Sequence, residues 1–222
     1  MKRNQGFTLV EIAIVLVIIG LLLGGILKGQ EMITQAKIKN VIADMSGVSA
    51  AMYGYQDRYR ALPGDDKNAG TRWSTAPAAT AGDGDGVVLG KWTEAAKESV
   101  YFWDHLRRAG FISGSSGTDN PFNAVSGKIG VQTGDGTSTA PNPGILSDGA
   151  ATATKFTALV LCSANLPDKI AGSVDSQMDD GLGKSGNVRA MKQTSPNPTD
   201  VAASADVYTE DGTSIFLVCR QM

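Results

Sequence analysis

The stretch that decides the fold is Met1-Lys2-Arg3-Asn4-Gln5-Gly6, then Phe7-Thr8-Leu9-Val10-Glu11, then only Ile, Ala, Val, Leu and Gly from Ile12 to Leu27. The run from Phe7 to Leu27 has 21 residues. As a helix it spans roughly 30 Å, the thickness of a bilayer core. A secretory signal has a shorter apolar stretch, about 7–15 residues, that ends in a small-residue cleavage site. No such site follows here, so we expect the segment to remain in the mature protein as a single membrane span.

Two features qualify this span. Lys2 and Arg3 precede it, and the positive-inside rule then keeps the N-terminus in the cytoplasm and places everything after Lys28 on the far side. Glu11 lies within the apolar run, where an acidic side chain costs about 2.5–3.5 kcal/mol at a helix centre and less near the interface. Either Glu11 snorkels to the membrane surface, or another chain supplies a cationic partner.

The segment Gly6-Phe7-Thr8-Leu9-Val10-Glu11, behind a basic leader and ahead of an apolar helix, resembles the prepilin signal of type IV pilins and type II secretion pseudopilins. The resemblance implies that a prepilin peptidase cuts after Gly6 and methylates the new N-terminal amine of Phe7. It also implies that Glu11 pairs with that amine on a neighbouring subunit during filament assembly. Two charges that are costly alone in an apolar medium become tolerable as a pair.

The same resemblance predicts the organisation of the chain. We expect a leader peptide at 1–6 that is removed, a transmembrane and filament-core half-helix at 7–27, an amphipathic half-helix at 28–60, and a globular head at 61–222. The fold class is α+β, a pilin-like lollipop with a long N-terminal helix packed on a small antiparallel β-sheet head with long loops. The implied location is the bacterial inner membrane with the head in the periplasm, and then the filament.

An amphipathic stripe supports a continuous helix beyond the span. Apolar residues recur at alternating steps of three and four, which is the helical period; they are Ile38, Val41, Met45, Val48, Met52, Tyr55 and Tyr59. The pattern ends at Leu62-Pro63-Gly64-Asp65, a run of helix breakers. We expect the stripe to pack against the protein's own C-terminal domain, with a coiled-coil homodimer as the alternative.

The head has fewer signals. A second amphipathic helix is predicted from Thr93 to Ala109, and 113–155 is rich in loop-forming residues. Strands are predicted at 156–162, which could equally be a short helix, at 187–191 as an edge, and at 214–219. Glu210-Asp211-Gly212 predicts a hairpin turn that joins 207–209 to the last strand.

The net charge and the small number of His and Cys residues exclude several classes of protein. The chain has 20 Lys and Arg against 22 Asp and Glu, and removal of Lys2 and Arg3 would leave a formal charge of -4. Without a basic cluster, no nucleic-acid partner is expected. One His and two Cys exclude a zinc finger and a multi-His metal centre. We interpret His105 as a packing or surface residue, since no second His or Cys lies near it.

Asp83-Gly84-Asp85-Gly86 raises the possibility of a calcium loop, because alternating carboxylates in a glycine turn can converge on a hard cation. Neither register of the EF-hand pattern is complete, so a solvated Asp/Gly turn is the alternative interpretation. Asp175, Asp179 and Asp180 before Gly181 form a second acidic turn, for which the solvated interpretation is stronger.

Cys162 and Cys219 are the only cysteines. An oxidising compartment and an even count favour a disulfide between them over two free buried thiols. Closing a loop of that size contributes about 4 kcal/mol in the chain-entropy model. The pair also resembles the C-terminal disulfide that brackets the variable surface loop of pilins.

No catalytic constellation is recognisable, because the sequence lacks a nucleophile elbow, a phosphate-binding loop and a His to serve a Ser or Cys nucleophile. We therefore expect a non-enzymatic structural subunit, major or minor, of a type IV pilus-like filament. Its expected partners are other pilin subunits, the prepilin peptidase, the inner-membrane assembly platform, and lipid before assembly. A type II secretion pseudopilin is the alternative, and a membrane-tethered binding module that never polymerises is the second.

Overall fold

A computed structural model describes residues 8–137, 143–150 and 153–222. The chain divides into two units, one up to Lys37 and one from Ile38 to Met222. The described elements are α1 (Leu9–Tyr59), α2 (Ala69–Arg72), α3 (Glu98–Arg108), β1 (Ile129–Thr133), β2 (Leu159–Pro167), α4 (Asp168–Met178), β3 (Val188–Lys192) and β4 (Ile215–Gln221). A long N-terminal helix and a small antiparallel sheet confirm the predicted α+β pilin-like class.

Within the first unit, the part of α1 from Ile12 to Leu27 is apolar on all sides. Its large aliphatic side chains between Leu9 and Leu27 are exposed, from 46% at Ile19 to 90% at Leu9. A helix that is apolar all round needs a surrounding of lipid or protein. Helix α1 is the one described helix that is long and apolar enough to cross a membrane.

Helix α1 continues into the second unit, where its apolar stripe is buried. The buried members are Ile38, Val41, Met45, Val48, Ala51, Met52 and Tyr55. Tyr59, the last residue of the helix, is only half-buried. The stripe therefore packs within its own chain, and this confirms that prediction over the homodimer.

The sheet is antiparallel throughout, in the order β1-β2-β4-β3. One face shares a core with α1, α3 and α4, to which the sheet contributes Val131, Leu161, Val188, Phe216 and Val218 among others. The opposite face has a second, smaller core that includes Trp92, Ile145, Phe156, Cys162, Leu217 and Cys219. Loop residues rather than helices cover that outer face.

Strands β3 and β4 confirm two of the strand predictions, and β3 is an edge strand as expected. The hairpin prediction is wrong, since β4 pairs with β2 and β3 and residues 207–209 form no strand. Asp211 instead closes a local turn by accepting hydrogen bonds from the backbone of Thr213 and Ser214.

The predicted start of the second helix is also wrong. Helix α3 begins at Glu98 rather than Thr93, because Ala96 has a left-handed backbone (φ 57°) and Lys97 is extended. Trp92, directly before the predicted start, lies in the outer core.

Candidate functional site

The predicted processing residues Gly6 and Phe7 lie outside the described residues, but Glu11 is described. Its Oε2 atom accepts hydrogen bonds from the backbone N–H and the hydroxyl of Thr8, each at 2.8 Å. The Thr8 hydroxyl oxygen in turn accepts the backbone N–H of Glu11 at 3.3 Å. This reciprocal pair is a capping box at the start of α1. The negative charge of Glu11 is thus held at the positive end of the helix dipole by its own chain.

The capping box could have been found in the sequence. Thr8 and Glu11 have the Thr-x-x-Glu spacing that precedes an apolar helix, which is the usual signature. It gives Glu11 hydrogen-bond donors before any second chain is present. A carboxylate supplied with donors is less costly in an apolar medium than a bare one.

A second cluster lies in the head, around the loop that suggested calcium. Asp65 is buried, and its Oδ1 accepts the backbone N–H groups of Gly84 at 2.6 Å and Asp85 at 3.1 Å. Its Oδ2 accepts the N–H of Gly86 at 2.8 Å. Gly84 and Gly86 have φ of 80° and 90°, which glycine adopts without strain. Three successive amides thereby form an anion-binding nest that surrounds the Asp65 carboxylate.

Glu98, at the start of α3, holds the same loop from the other side. Its two carboxylate oxygens accept the backbone N–H groups of Asp83 at 3.0 Å and Leu89 at 2.9 Å. Burial raises the pKa of Glu98 and also that of Asp65. Two buried carboxylates therefore anchor the acidic loop through its backbone.

Asp65, Asp83 and Asp85 each bring one carboxylate oxygen within 4.8 Å of the others. The sequence identified Asp83 and Asp85, and the structure adds Asp65, which lies 18 residues before Asp83 and could not be associated with it by spacing. The oxygens of Asp65 already accept the loop's own amides. Calcium binding at Asp83 and Asp85 stays a prediction.

His105 lies at the junction of α3 with this region and is fully buried. Its Nδ1 accepts the backbone N–H of Gly64 at 2.9 Å, and its Nε2 lies 2.8 Å from the carbonyl oxygen of Thr80. Only the neutral tautomer with the proton on Nε2 makes both bonds. Burial lowers the pKa of His105. The ring is a packing residue, as the sequence indicated.

The stripe of α1 is tied to the following segment by a buried network. The Tyr55 hydroxyl donates to Oδ2 of Asp66 at 2.7 Å, and the guanidinium of Arg72 lies 2.5 Å from the same oxygen. The pKa of Asp66 is lowered by the hydrogen bonds from Arg72 and Tyr55, which outweigh the effect of burial. This network fixes the chain immediately after the breaker motif that ends α1.

The second acidic cluster is only partly the solvated turn that the sequence predicted, because Asp175 lies within α4 and only Asp179 and Asp180 belong to the segment between α4 and β3. Asp175 is buried, and it accepts the Tyr208 hydroxyl at 2.8 Å and the backbone N–H of Gly181 at 3.1 Å. Burial raises the pKa of Asp175 to about 6. Asp179 accepts the backbone N–H groups of Asn187 and Val188. These contacts give the turn a structural role.

The disulfide prediction is confirmed. Cys162 of β2 and Cys219 of β4 are bonded and lie directly opposite each other in the strand register. Both are fully buried in the outer core. The bond therefore joins two strands that already share a hydrogen-bonded ladder.

Comparison with known families supports the N-terminal interpretation. Residues 1–27 match the family described as the prokaryotic N-terminal methylation motif. That motif is the prepilin signal of type IV pilins and pseudopilins, as the sequence predicted. No curated protein matches the chain. The motif fits a structural subunit that is anchored in the inner membrane, processed by prepilin peptidase and assembled with other pilin-type subunits.

Proposed function

We propose that this protein is a structural subunit, major or minor, of a type IV pilus-like filament. It enters the inner membrane through 7–27, loses residues 1–6 to prepilin peptidase, and is then assembled with its head outside the cytoplasm. The observation that supports this most strongly is that the apolar first half of α1 is exposed and lies within the residues that match the methylation motif.

The exposed helix suits two surroundings in succession. Lipid chains cover it before assembly, and the apolar helices of sister subunits cover it afterwards. Between helices that leave lipid, the driving force comes from close packing and from polar pairs rather than from water exclusion. Gly20, Gly24 and Gly25 leave the backbone of α1 open to such an approach, since an added Cβ atom at any of them would meet no described atom within 4 Å.

In this proposal Glu11 is the acidic member of an ion pair between neighbouring subunits. Its carboxylate is held by Thr8 in the single chain, and the methylated amine of Phe7 from a neighbouring subunit would supply the cation in the filament. Pairing offsets the cost of moving either charge through the apolar layer. Subunits out of register would leave both charges unpaired.

Glu11→Leu tests the proposal in the native host. We expect the variant to insert into the membrane at wild-type levels and to give no sheared filaments. Glu31→Leu is the matched control and should assemble normally, because Glu31 is an exposed glutamate of the same helix whose ion pair in the described part of the chain is with Lys28. Unchanged filament yield from Glu11→Leu would contradict the pairing role of Glu11, whereas absence of the wild-type protein from sheared filaments would contradict the filament function and favour the tethered binding module.

Processing is tested separately by mass spectrometry of the membrane fraction. Wild-type protein should start at Phe7 with a methylated amine, and Gly6→Ala should accumulate as the full-length precursor. A mature wild-type chain that starts elsewhere contradicts the cleavage site. Immunogold imaging of sheared surface filaments then separates an abundant pilin from a rare subunit.

A further inference from the structure

The dipeptide Asp-Gly occurs six times in the head, and all six copies lie among the described residues. Each copy forms the same Asx turn, in which the aspartate carboxylate accepts the backbone N–H of the residue after the glycine. In each copy the glycine backbone is left-handed, with φ between 72° and 90°. The copies are Asp83-Gly84, Asp85-Gly86, Asp135-Gly136, Asp148-Gly149, Asp180-Gly181 and Asp211-Gly212.

An Asp-Gly sequence is open to isomerisation, because glycine has no Cβ atom to hinder attack by its backbone nitrogen. In this reaction the nitrogen bonds to the side-chain carboxyl carbon of the preceding aspartate, and the carboxyl hydroxyl leaves with the N–H proton as water. Water then opens the resulting succinimide ring at either carbonyl carbon and gives aspartate or isoaspartate. Isoaspartate adds a carbon atom to the backbone, so its formation would disrupt the turn.

The six turns differ in the partner of the glycine N–H. In four of them the acceptor is the carboxylate of an aspartate from outside the turn, and that aspartate is at most 5% exposed. We call these four the protected turns. Asp65 accepts the N–H groups of Gly84 at 2.6 Å and Gly86 at 2.8 Å, Asp175 accepts that of Gly181 at 3.1 Å, and Asp168 accepts that of Gly212 at 2.6 Å.

The turn at Asp148-Gly149 is held differently. Gly149 is exposed, its N–H reaches the neutral hydroxyl of Ser147 at 3.3 Å, and an added Cβ atom would meet no described atom within 4 Å. In Asp135-Gly136 the glycine N–H donates to the carbonyl oxygen of Thr133 at 2.9 Å, and the glycine is buried against the backbone of Gly90. Asp148-Gly149 thus combines an accessible glycine with a long hydrogen bond to an uncharged group.

We propose that Asp65, Asp168 and Asp175 protect four Asp-Gly turns from isomerisation, and that isoaspartate forms at Asp148-Gly149 instead. Attack requires the glycine nitrogen to give up its proton. In a protected turn this step would leave a buried carboxylate without its donor, and the negative charge beside the nitrogen opposes loss of the proton. The aspartate that is attacked makes the same contact in all six turns, so the difference between them lies in the nitrogen. The proposal does not depend on filament assembly.

The rate of isoaspartate formation at each turn tests this proposal. Purified full-length protein is kept at neutral pH in detergent micelles, and a second sample is kept in denaturant. Electron-transfer mass spectrometry of proteolytic peptides then measures isoaspartate at each position. The ratio of the native rate to the denatured rate removes the effect of local sequence. We expect this ratio to be at least about tenfold smaller in the protected turns than at Asp148-Gly149.

Equal ratios at the protected turns and at Asp148-Gly149 would overturn the proposal. A larger ratio in the protected turns would also overturn it, because the buried carboxylates would then act as bases that remove the proton.

Asp168→Ala distinguishes protection from general stability. The variant removes the acceptor of the Gly212 N–H and leaves Asp175 in place, so isomerisation should accelerate about tenfold at Asp211-Gly212 and stay unchanged at Asp180-Gly181. Lys169→Ala, at the exposed neighbouring position, is the matched control and should change neither rate. An unchanged rate at Asp211-Gly212 in the folded variant would overturn the proposal. If the variant unfolds and both rates rise together, the comparison of turns within the wild-type protein decides.

Discussion

The backbone N–H of Gly64 donates a hydrogen bond to Nδ1 of His105 at 2.9 Å, although 41 residues separate them in the chain. The other ring nitrogen contacts the carbonyl oxygen of Thr80. One imidazole thereby joins α3 to the breaker motif that ends α1 and to the segment before the acidic loop. The N–H of Gly64 and the carbonyl oxygen of Thr80 lie outside helices and strands, and the ring supplies their hydrogen-bond partners.

His105→Ala should destabilise the protein by about 3 kcal/mol, because it leaves a cavity and two buried backbone groups without partners. Thermal unfolding of the full-length protein in detergent micelles measures this, with the exposed Lys184→Ala as control.

The pKa of His105 is lowered by burial, so the unfolded chain takes up the proton first as the pH falls. The contribution of His105 to stability should therefore decrease below about pH 6.5, and an unchanged Tm for His105→Ala would contradict the bridging role.

Asp65→Asn should loosen the acidic loop. The amide group would direct an N–H₂ donor at backbone amides that now face a carboxylate, at a cost of about 1–3 kcal/mol. Hydrogen exchange at Gly84 and Gly86 should accelerate, whereas Asp85→Asn, at an exposed position of the same loop, should change it little. Equal exchange in Asp65→Asn and wild type would show that the nest is not what holds the loop.

The calcium prediction at Asp83 and Asp85 has a simple check. A bound ion stabilises only the folded state, so calcium should raise the Tm relative to protein in chelator. Asp83→Ala/Asp85→Ala should abolish that increase. Magnesium is the matched ion control, and the same Tm in calcium, magnesium and chelator would contradict the prediction.

The long N-terminal helix was predictable because its determinants are local. The apolar run, the stripe that starts at Ile38 and the breakers at Leu62-Pro63-Gly64 each act within a few residues. Helix α4 was missed, since its apolar residues Ile170, Ala171 and Val174 form too short a pattern around Gly172 to stand out from a loop.

The contacts that organise the head are non-local, and spacing could not reveal them. Asp65 accepts hydrogen bonds from backbone amides about 20 residues further along the chain. The outer face of the sheet is covered by loop residues rather than by a second layer of helices. The false hairpin has the same origin. Asp211 does form a turn. The strands that pair with β4 are β2 and β3, however, and that pairing depends on contacts between segments far apart in the chain.

Asp175→Asn should stabilise the protein at neutral pH. The pKa of Asp175 is raised to about 6, so the folded state holds its proton at a pH where the unfolded chain has released it. The stabilisation from this proton is present in acid and is lost as the pH rises through about 6. The variant should gain at most about 3 kcal/mol at pH 7.5 and almost nothing at pH 4. Tm measured against pH checks this, with the exposed Asp180→Asn as control; a Tm difference independent of pH would refute it.

Arg60→Gly should also stabilise the protein, by about 0.5–1 kcal/mol. Arg60 follows the last residue of α1 with a left-handed backbone (φ 55°), while its N–H donates to the carbonyl oxygen of Gln56 at 2.8 Å. Glycine adopts this C-terminal conformation without the steric cost of a Cβ atom. The ion pair that is lost, Arg60 with Asp57 at 3.6 Å, is exposed on both sides and contributes little. Arg58→Gly, inside the last turn of the same helix, is the matched control and should destabilise by about 1 kcal/mol. The same sign of Tm change in both variants would contradict the left-handed cap.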